Sequence, residues 1–207
     1  MESVSYRLKD CEYVHQLPAH YAIVAADPWT PTILPKVPIT GTRNCAIHLR
    51  APSKALSPDL VSFNNEVPNS WFQRVKFYPR PDDTIHISAG TDLLPASADL
   101  VKADKEMCEG LRRAADFISP HLQGLELLVE QACYRPALTI PGRDQKHGPL
   151  LASTPISGLI LATGHDNWGD QNSPATGKMV SELVFDGKLI SADISSLTMG
   201  INLRDVI

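Results

Sequence analysis

No apolar run in this chain approaches the length of about 20 residues that a bilayer-crossing helix needs, so no membrane span is expected. No run of lysines or arginines stands out either. Nineteen basic against 23 acidic residues leave a net charge of −4, which argues against nucleic acid or an anionic membrane as the main partner. The four cysteines (Cys11, Cys45, Cys108 and Cys133) are widely spaced and form no C-x-x-C pair, so reduced thiols and a cytoplasmic location are expected. The opening stretch MESVSYRLKDCEY is polar and acidic, unlike a signal or transit peptide. Phenylalanine is scarce: five against 17 prolines, a balance that favours loops and edge strands over long helices. There is no internal repeat.

What remains is an ordinary globular composition. Hydrophobic residues at 43% and charged residues at 20% argue against wholesale disorder, and 207 residues suffice for one sizeable core or two small lobes. Read in order, Cys11–Val14 and Tyr21–Ala26 are expected strands, separated by a turn at HQLPAH. Ile23-Val24-Ala25-Ala26 is fully apolar and suits a central strand buried on both faces; it stops at Asp27-Pro28-Trp29. Residues 30–41, TPTILPKVPITG, read as a proline-rich crossover. Cys45–Arg50 is the next expected strand, and residues 51–70, rich in Pro, Ser and Asn, an irregular loop.

Arg74–Tyr78 and Thr84–Ser88 alternate apolar and polar residues around PRPDD, a hairpin in which Asp82-Asp83 serves the turn rather than acid–base chemistry. From about Asp99 to Ile118 runs the clearest helix, with Met107, Leu111, Ala114 and Ile118 on one stripe and Ser119-Pro120 as its stop. Leu125–Cys133 and Tyr134–Thr139 read as one bent strand or two, IPGRDQKHG as a polar turn, and residues 189–207 as a tail.

The densest chemistry lies in Ile160–Lys188. An apolar strand at Leu159–Leu161 feeds a polar loop with Gly164 and Gly169, then an amphipathic helix. Ser173 is the expected N-cap, Pro174 the first helical residue and Gly187 the stop; Met179, Val180, Leu183 and Val184 form the apolar stripe. A strand, glycine loop and helix N-terminus in series offer backbone N–H groups and a positive dipole end to an electron-rich ligand.

Three stretches carry a family resemblance. ATGH-x3-G-x3-SPATGK-x3-EL-x2-DGK, together with VAADPWTPTILPKVPITG and CYRPAL in that order, resembles FAD-dependent oxidoreductases of the D-amino-acid oxidase and glycine oxidase type, closest to an uncharacterised fungal branch. The resemblance covers roughly residues 10–190. It implies an α+β / α/β fold, an antiparallel-sheet substrate lobe inserted in the remnant of an FAD-binding Rossmann-like lobe. On that reading residues 1–35 and 151–190 form the FAD-binding remnant, 36–150 the substrate lobe with one helix, and 191–207 a tail. No G-x-G-x-x-G occurs among the 12 glycines, so the N-terminal βαβ unit that meets the FAD pyrophosphate is expected to be missing and FAD binding by the chain alone to be weak or absent.

The resemblance also assigns roles. Pro28, Trp29, Gly164, His165, Asn167, Trp168, Gly169, Thr176, Gly177 and Lys178 are expected to line the flavin, and Arg135 to grip a substrate carboxylate. Lys178, or the helix dipole near Thr176-Gly177-Lys178, would stabilise the anionic reduced ring. No side chain is expected to act as acid or base. Bland roles compete at each position: a structural arginine, a loop histidine bonded to backbone, a solvated lysine and a packing tryptophan.

Two positions depart from the family pattern. Asp27 replaces a glycine that lets the backbone approach the flavin, and Asp170 replaces a small apolar residue, placing negative charge at the ring's edge. The implied reaction is oxidation of a small amine or amino-acid substrate. One alternative is a non-catalytic module that uses an exposed half-interface to bind a protein. Another is a metal-dependent hydrolase with His165, Asp166 and Asp170 as ligands.

Overall fold

A computed structural model describes residues 2–51, 61–64, 74–94, 102–140, 148–195 and 202–204. The chain forms two compact units, Met1–Gly41 with Arg135–Ile207 and Thr42–Tyr134.

The first unit holds two sheets. One is the antiparallel ribbon of β1 (Ser3–Arg7) and β2 (Val14–Pro18). The stretch HQLPAH thus contains strand where a turn was expected, and Cys11–Tyr13 precede the strand rather than form it. Pro18 is tolerated because it closes the strand, where no ladder N–H is demanded of it. The other sheet has the order β3-β10-β9, from β3 (Ala22–Val24), β9 (Leu150–Ser153) and β10 (Leu159–Thr163). β10 runs parallel to β3 and antiparallel to β9.

β10 is buried at every residue, as its unbroken apolar run requires. Leu159 and Leu161 pack with Val24, Val37, Ile39, Leu138, Leu150 and Ala152. Ile160 and Ala162 point the other way, with Leu151, against Met179, Val180, Leu183 and Val184 of the last helix. That period-2 split puts each β10 side chain in one of two cores. β3 differs from the expected doubly buried strand: Val24 is buried, but Ile23 is exposed because β3 lies at the sheet edge.

The second unit is built on strands in the order β5-β6-β7-β4-β8. These are β4 (Ile39–Arg50), β5 (Val61–Asn64), β6 (Arg74–Pro79), β7 (Thr84–Leu94) and β8 (Leu127–Leu138); the division between units falls inside β4 and β8. β4 begins within the proline-rich crossover, which also holds the short helix α1 (Thr30–Ile33). β5 interrupts the expected loop 51–70, whose other residues from 52 on lie outside the described ones; so do residues 141–147 of the polar turn. β6 and β7 form the expected hairpin, with Asp83 left-handed (φ 56°) and Asp82 accepting from Thr84 Oγ1 at 2.6 Å. β8 is one continuous strand.

α2 (Lys105–Ile118) starts later than the pattern implied. Asp104 is its N-cap, accepting from the Met107 N–H at 3.0 Å. Met107, Leu111 and Ala114 are buried on Cys45, Ile47 and Leu49 of β4, Val75 and Phe77 of β6, and Ile85 and Ile87 of β7. Alternation sends Tyr78, His86 and His48 to the opposite sheet face, where His86 Nδ1 and His48 Nε2 lie 2.9 Å apart.

Candidate functional site

The site residues of the first unit gather where two parallel strands end side by side. β3 leads into a single tight turn at Asp27–Trp29, and β10 into Gly164, His165 and a second tight turn at Asp166–Trp168. Helix α3 (Gly169–Phe185) follows without a break.

Two buried threonines join the strand ends. The hydroxyls of Thr30 and Thr163 lie 3.1 Å apart, and both reach the Asp27 carbonyl, at 2.8 and 3.3 Å. Each hydroxyl has one proton; Thr30, at the shorter distance, donates to the carbonyl, and Thr163 donates to the same carbonyl or to Thr30 Oγ1. This clasp, between residues 133 positions apart, has no local sequence signal.

Gly164 is fixed by conformation and by space. Its φ is +82°, and a Cβ there would sit 3.1 Å from Ile39 Cδ1 and 3.4 Å from both Leu138 Cβ and the Leu150 nitrogen. Gly169 and Gly177 are different: each has a helical backbone, and a Cβ at Gly177 would meet nothing within 4 Å. His165 bridges in antiparallel fashion to Ala137, and its Nε2 lies 2.9 Å from Thr176 Oγ1. Burial lowers the His165 pKa, and the Asp27 carboxylate pulls it partly back.

α3 begins five residues earlier than expected. Pro174 lies inside the helix rather than at its first position, and Ser173 is not the cap. A proline here cannot donate to the Asp170 carbonyl; Ser173 Oγ donates to it instead, at 3.2 Å. The N–H groups of Thr176, Gly177 and Lys178 are therefore interior to the helix. The groups at its positive end belong to Gly169, Asp170 and Gln171, behind a Trp168 N-cap that makes no side-chain cap. Asp170 in the first turn suits that dipole as a helix-stabilising acid.

The other named residues are placed as follows. Pro28 is buried and Trp29 half-buried beside the clasp, whereas Asn167 and Trp168 are exposed, Trp168 at 62%. Asn167 donates to its neighbour Asp166. Lys178 forms an ion pair with Glu182 at 2.9 Å, one turn on, so its charge is already engaged. Arg135 is half-buried on β8, and among the described residues its buried Nε has no hydrogen-bond partner. Such a guanidinium is poised for an anion. Asp27 is exposed and left-handed (φ 47°) at the position where the family pattern has glycine. Among the described residues no three His, Cys, Asp or Glu side chains gather as metal ligands, which leaves the hydrolase alternative without a ligand set there.

The geometry tests whether a flavin ring fits. Two joined strand ends, an uncapped helix start, an open face at Gly177 and an Arg135 Nε without a partner among the described residues fit the ring and a carboxylate substrate. A glycine turn for the pyrophosphate is not found in the 207 residues.

Parallel strands with loops and a helix start at their carboxyl ends give a mixed α/β fold. The chain belongs to the DAO family of FAD dependent oxidoreductases, whose profile matches residues 4–183. It is 35% identical over 177 residues to a Saccharomyces cerevisiae protein named as oxidoreductase TDA3, a match covering 84% of this chain and 33% of that protein. It is 30% identical to a Schizosaccharomyces pombe protein named as oxidoreductase C1F5.03c, over 89% of this chain and 47% of the other. The chain thus spans a third to about half the length of these relatives.

Among solved structures, the fold matches iminodiacetate oxidase from Chelativorans sp. BNC1 (TM-score 0.69, 20% identity, 88% of this chain and 47% of that one). It also matches glycine oxidase from Geobacillus kaustophilus (TM-score 0.68, 22% identity, 90% and 47%). No helix among the described residues is long and apolar enough to cross a membrane.

Proposed function

We propose that the chain forms the flavin-ring side of an FAD-dependent oxidoreductase acting on small amines or amino acids, and that these 207 residues alone do not hold the adenosine end of FAD. The single observation that carries this is the junction of Asp27–Trp29 with Gly164–Trp168, clasped by Thr30 and Thr163 ahead of an uncapped α3. The names of the structural neighbours, a glycine oxidase and an iminodiacetate oxidase, support the substrate class.

When bound, FAD supplies the chemistry: it accepts a hydride from the carbon bearing the amine. This chain's residues position and polarise. Gly164 keeps the loop low against Ile39 and Leu150. Thr176 holds the His165 ring in one orientation. The α3 dipole favours negative charge at Gly169, and Arg135 offers two parallel hydrogen bonds to a substrate carboxylate. Asp27 works against this arrangement, with a carboxylate where the family pattern has no side chain.

Fluorescence titration of FAD tests the reading. The chain alone should retain little FAD; a stoichiometric yellow preparation of this polypeptide overturns that. With the adenosine-binding side supplied, Arg135→Ala should raise KM for a small amino acid at least tenfold while FAD retention stays unchanged. Equal KM values for both proteins would remove Arg135 from the site.

A second reading, a non-catalytic module that binds another protein, is favoured by one observation: a carboxylate side chain on a left-handed backbone at Asp27, where the family pattern has glycine. Asp27→Gly separates the two. Improved FAD retention fits a flavin-facing turn, and unchanged retention fits the module.

A further inference from the structure

The unit Thr42–Tyr134 carries a pair of histidines that the flavin reading does not use. His48 lies on β4 and His86 on β7, neighbours in the sheet. The flanking Ile47, Leu49, Ile85 and Ile87 are buried on the α2 side, so strand alternation sends both imidazoles to the other face. There His48 Nε2 and His86 Nδ1 lie 2.9 Å apart, with ring centroids 4.9 Å apart and planes at 78°. Both side chains are half-buried, and each is carried by a strand rather than a loop.

One ring of the pair donates its proton to the other, so the contact holds one proton and one lone pair. Burial, then His48 and Arg80, lower the His86 pKa to about 4; burial, then Arg80, lower that of His48, and Asp82 opposes them there. Neutral imidazole is the form that ligates metals, and both rings are in that form at neutral pH. Arg80 repels a cation near the pair and Asp82 attracts one; both are exposed, where water and salt weaken their effect. Tyr78 meets the His86 ring edge-on and packs against it.

We propose that His48 Nε2 and His86 Nδ1 chelate one divalent transition-metal ion of square or octahedral preference, Cu(II) or Ni(II). The separation of the two nitrogens decides the geometry. With metal–nitrogen bonds of about 2.0–2.1 Å, nitrogens 2.9 Å apart subtend about 90° at the ion, the angle between adjacent ligands of a square or an octahedron. A tetrahedral ion would need them about 3.3 Å apart, and a structural zinc site would need four protein ligands. Among the described residues no third His, Cys, Asp or Glu joins the pair, so it forms a two-ligand chelate and water completes the shell. The protons balance. The one held between the rings passes, by exchange with solvent, to the far nitrogen of its own ring; both contact nitrogens then offer lone pairs, and none is released. The chelate does not depend on the flavin role.

Isothermal titration of the full chain with CuCl2 and with NiCl2 at neutral pH, without FAD, tests the proposal. One ion per chain is expected, with a heat that does not change with the ionisation enthalpy of the buffer, because no proton is released. His48→Gln and His86→Gln should each weaken binding at least tenfold, whereas His15→Gln and His121→Gln should change it less than twofold. In the unmodified chain, Cu(II) should broaden the NMR signals of residues 47–49 and 85–87 before any others, which decides the matter even where a variant misfolds. No binding, a buffer-dependent heat, an equal loss on His15→Gln, or broadening centred on another histidine overturns the proposal.

Discussion

Replacing Gly164 with alanine isolates what the glycine loop requires. Two terms act. An alanine held at φ +82° costs about 1–2 kcal/mol, because its Cβ crowds the following carbonyl. Its Cβ also lands 3.1 Å from Ile39 Cδ1 and 3.4 Å from Leu138 Cβ and the Leu150 nitrogen. The Ile39 methyl can rotate away, but the Leu150 nitrogen belongs to a buried strand and cannot, so about 1 kcal/mol of overpacking is added. The sum is about 2–3 kcal/mol. Gly187→Ala is the internal control: its φ is +69°, but a Cβ there meets nothing within 4 Å, so only the first term applies. Gly177→Ala, helical and unobstructed, should stabilise by up to about 1 kcal/mol. Urea unfolding of the three variants, followed by tryptophan fluorescence, reads these differences. If Gly164→Ala loses no more than Gly187→Ala, the close approach of Gly164 to Leu150 contributes nothing and the packing argument fails.

Further outcomes follow from charge and conformation. His86 is held neutral by burial, by His48 and by Arg80, which lower its pKa from 6.5 to about 4; Asp82 acts only on His48, and Tyr78 meets the His86 ring edge-on. The unfolded chain therefore binds this proton first, so the pair's stabilising contribution is complete above pH 6.5 and falls away as the pH drops toward 4. The urea midpoint should decline across that window, and His86→Phe should flatten the decline; an unchanged pH profile would contradict it. Glu182 accepts from Ser191 Oγ, from the Ile190 and Ser191 N–H groups and from Lys178, which hold its pKa at about 2. Glu182→Gln should release residues 190–191, seen as faster amide exchange there, while slow exchange in the variant would show that the tail is held by other contacts. Asp27→Gly should raise stability by about 1 kcal/mol through relief of a left-handed φ, and a lower urea midpoint would show that the carboxylate stabilises its turn.

Periodic segments were legible in the sequence. The β10 run, the α2 stripe and the β6–β7 hairpin each bury a regular set of side chains, and regular burial leaves a regular pattern. The start of α3 was not legible, because Ser-Pro is a frequent helix opening and only the tertiary fold extends the helix back to Gly169 around an interior proline. β2 resembled a turn because Pro18 was weighed without knowing that it closes the strand. The Thr30–Thr163 clasp and the His48–His86 contact join residues 133 and 38 positions apart, and no local spacing announces them. Of the candidate site, the loop residues and Arg135 came from family resemblance. The structure adds the clasp, an Arg135 Nε without a partner among the described residues and the engagement of Lys178 by Glu182.

The central claim is that the open glycine face of α3 and the clasped strand ends meet a flavin ring. FAD retention with the adenosine-binding side supplied, measured for the unmodified chain and for Gly177→Leu, tests it most directly. A Cβ at Gly177 meets nothing within 4 Å, so the helix and its packing should persist in the variant. FAD retention should fall at least tenfold while the urea midpoint of the variant does not fall. Equal retention by both proteins would place the flavin elsewhere and contradict the account.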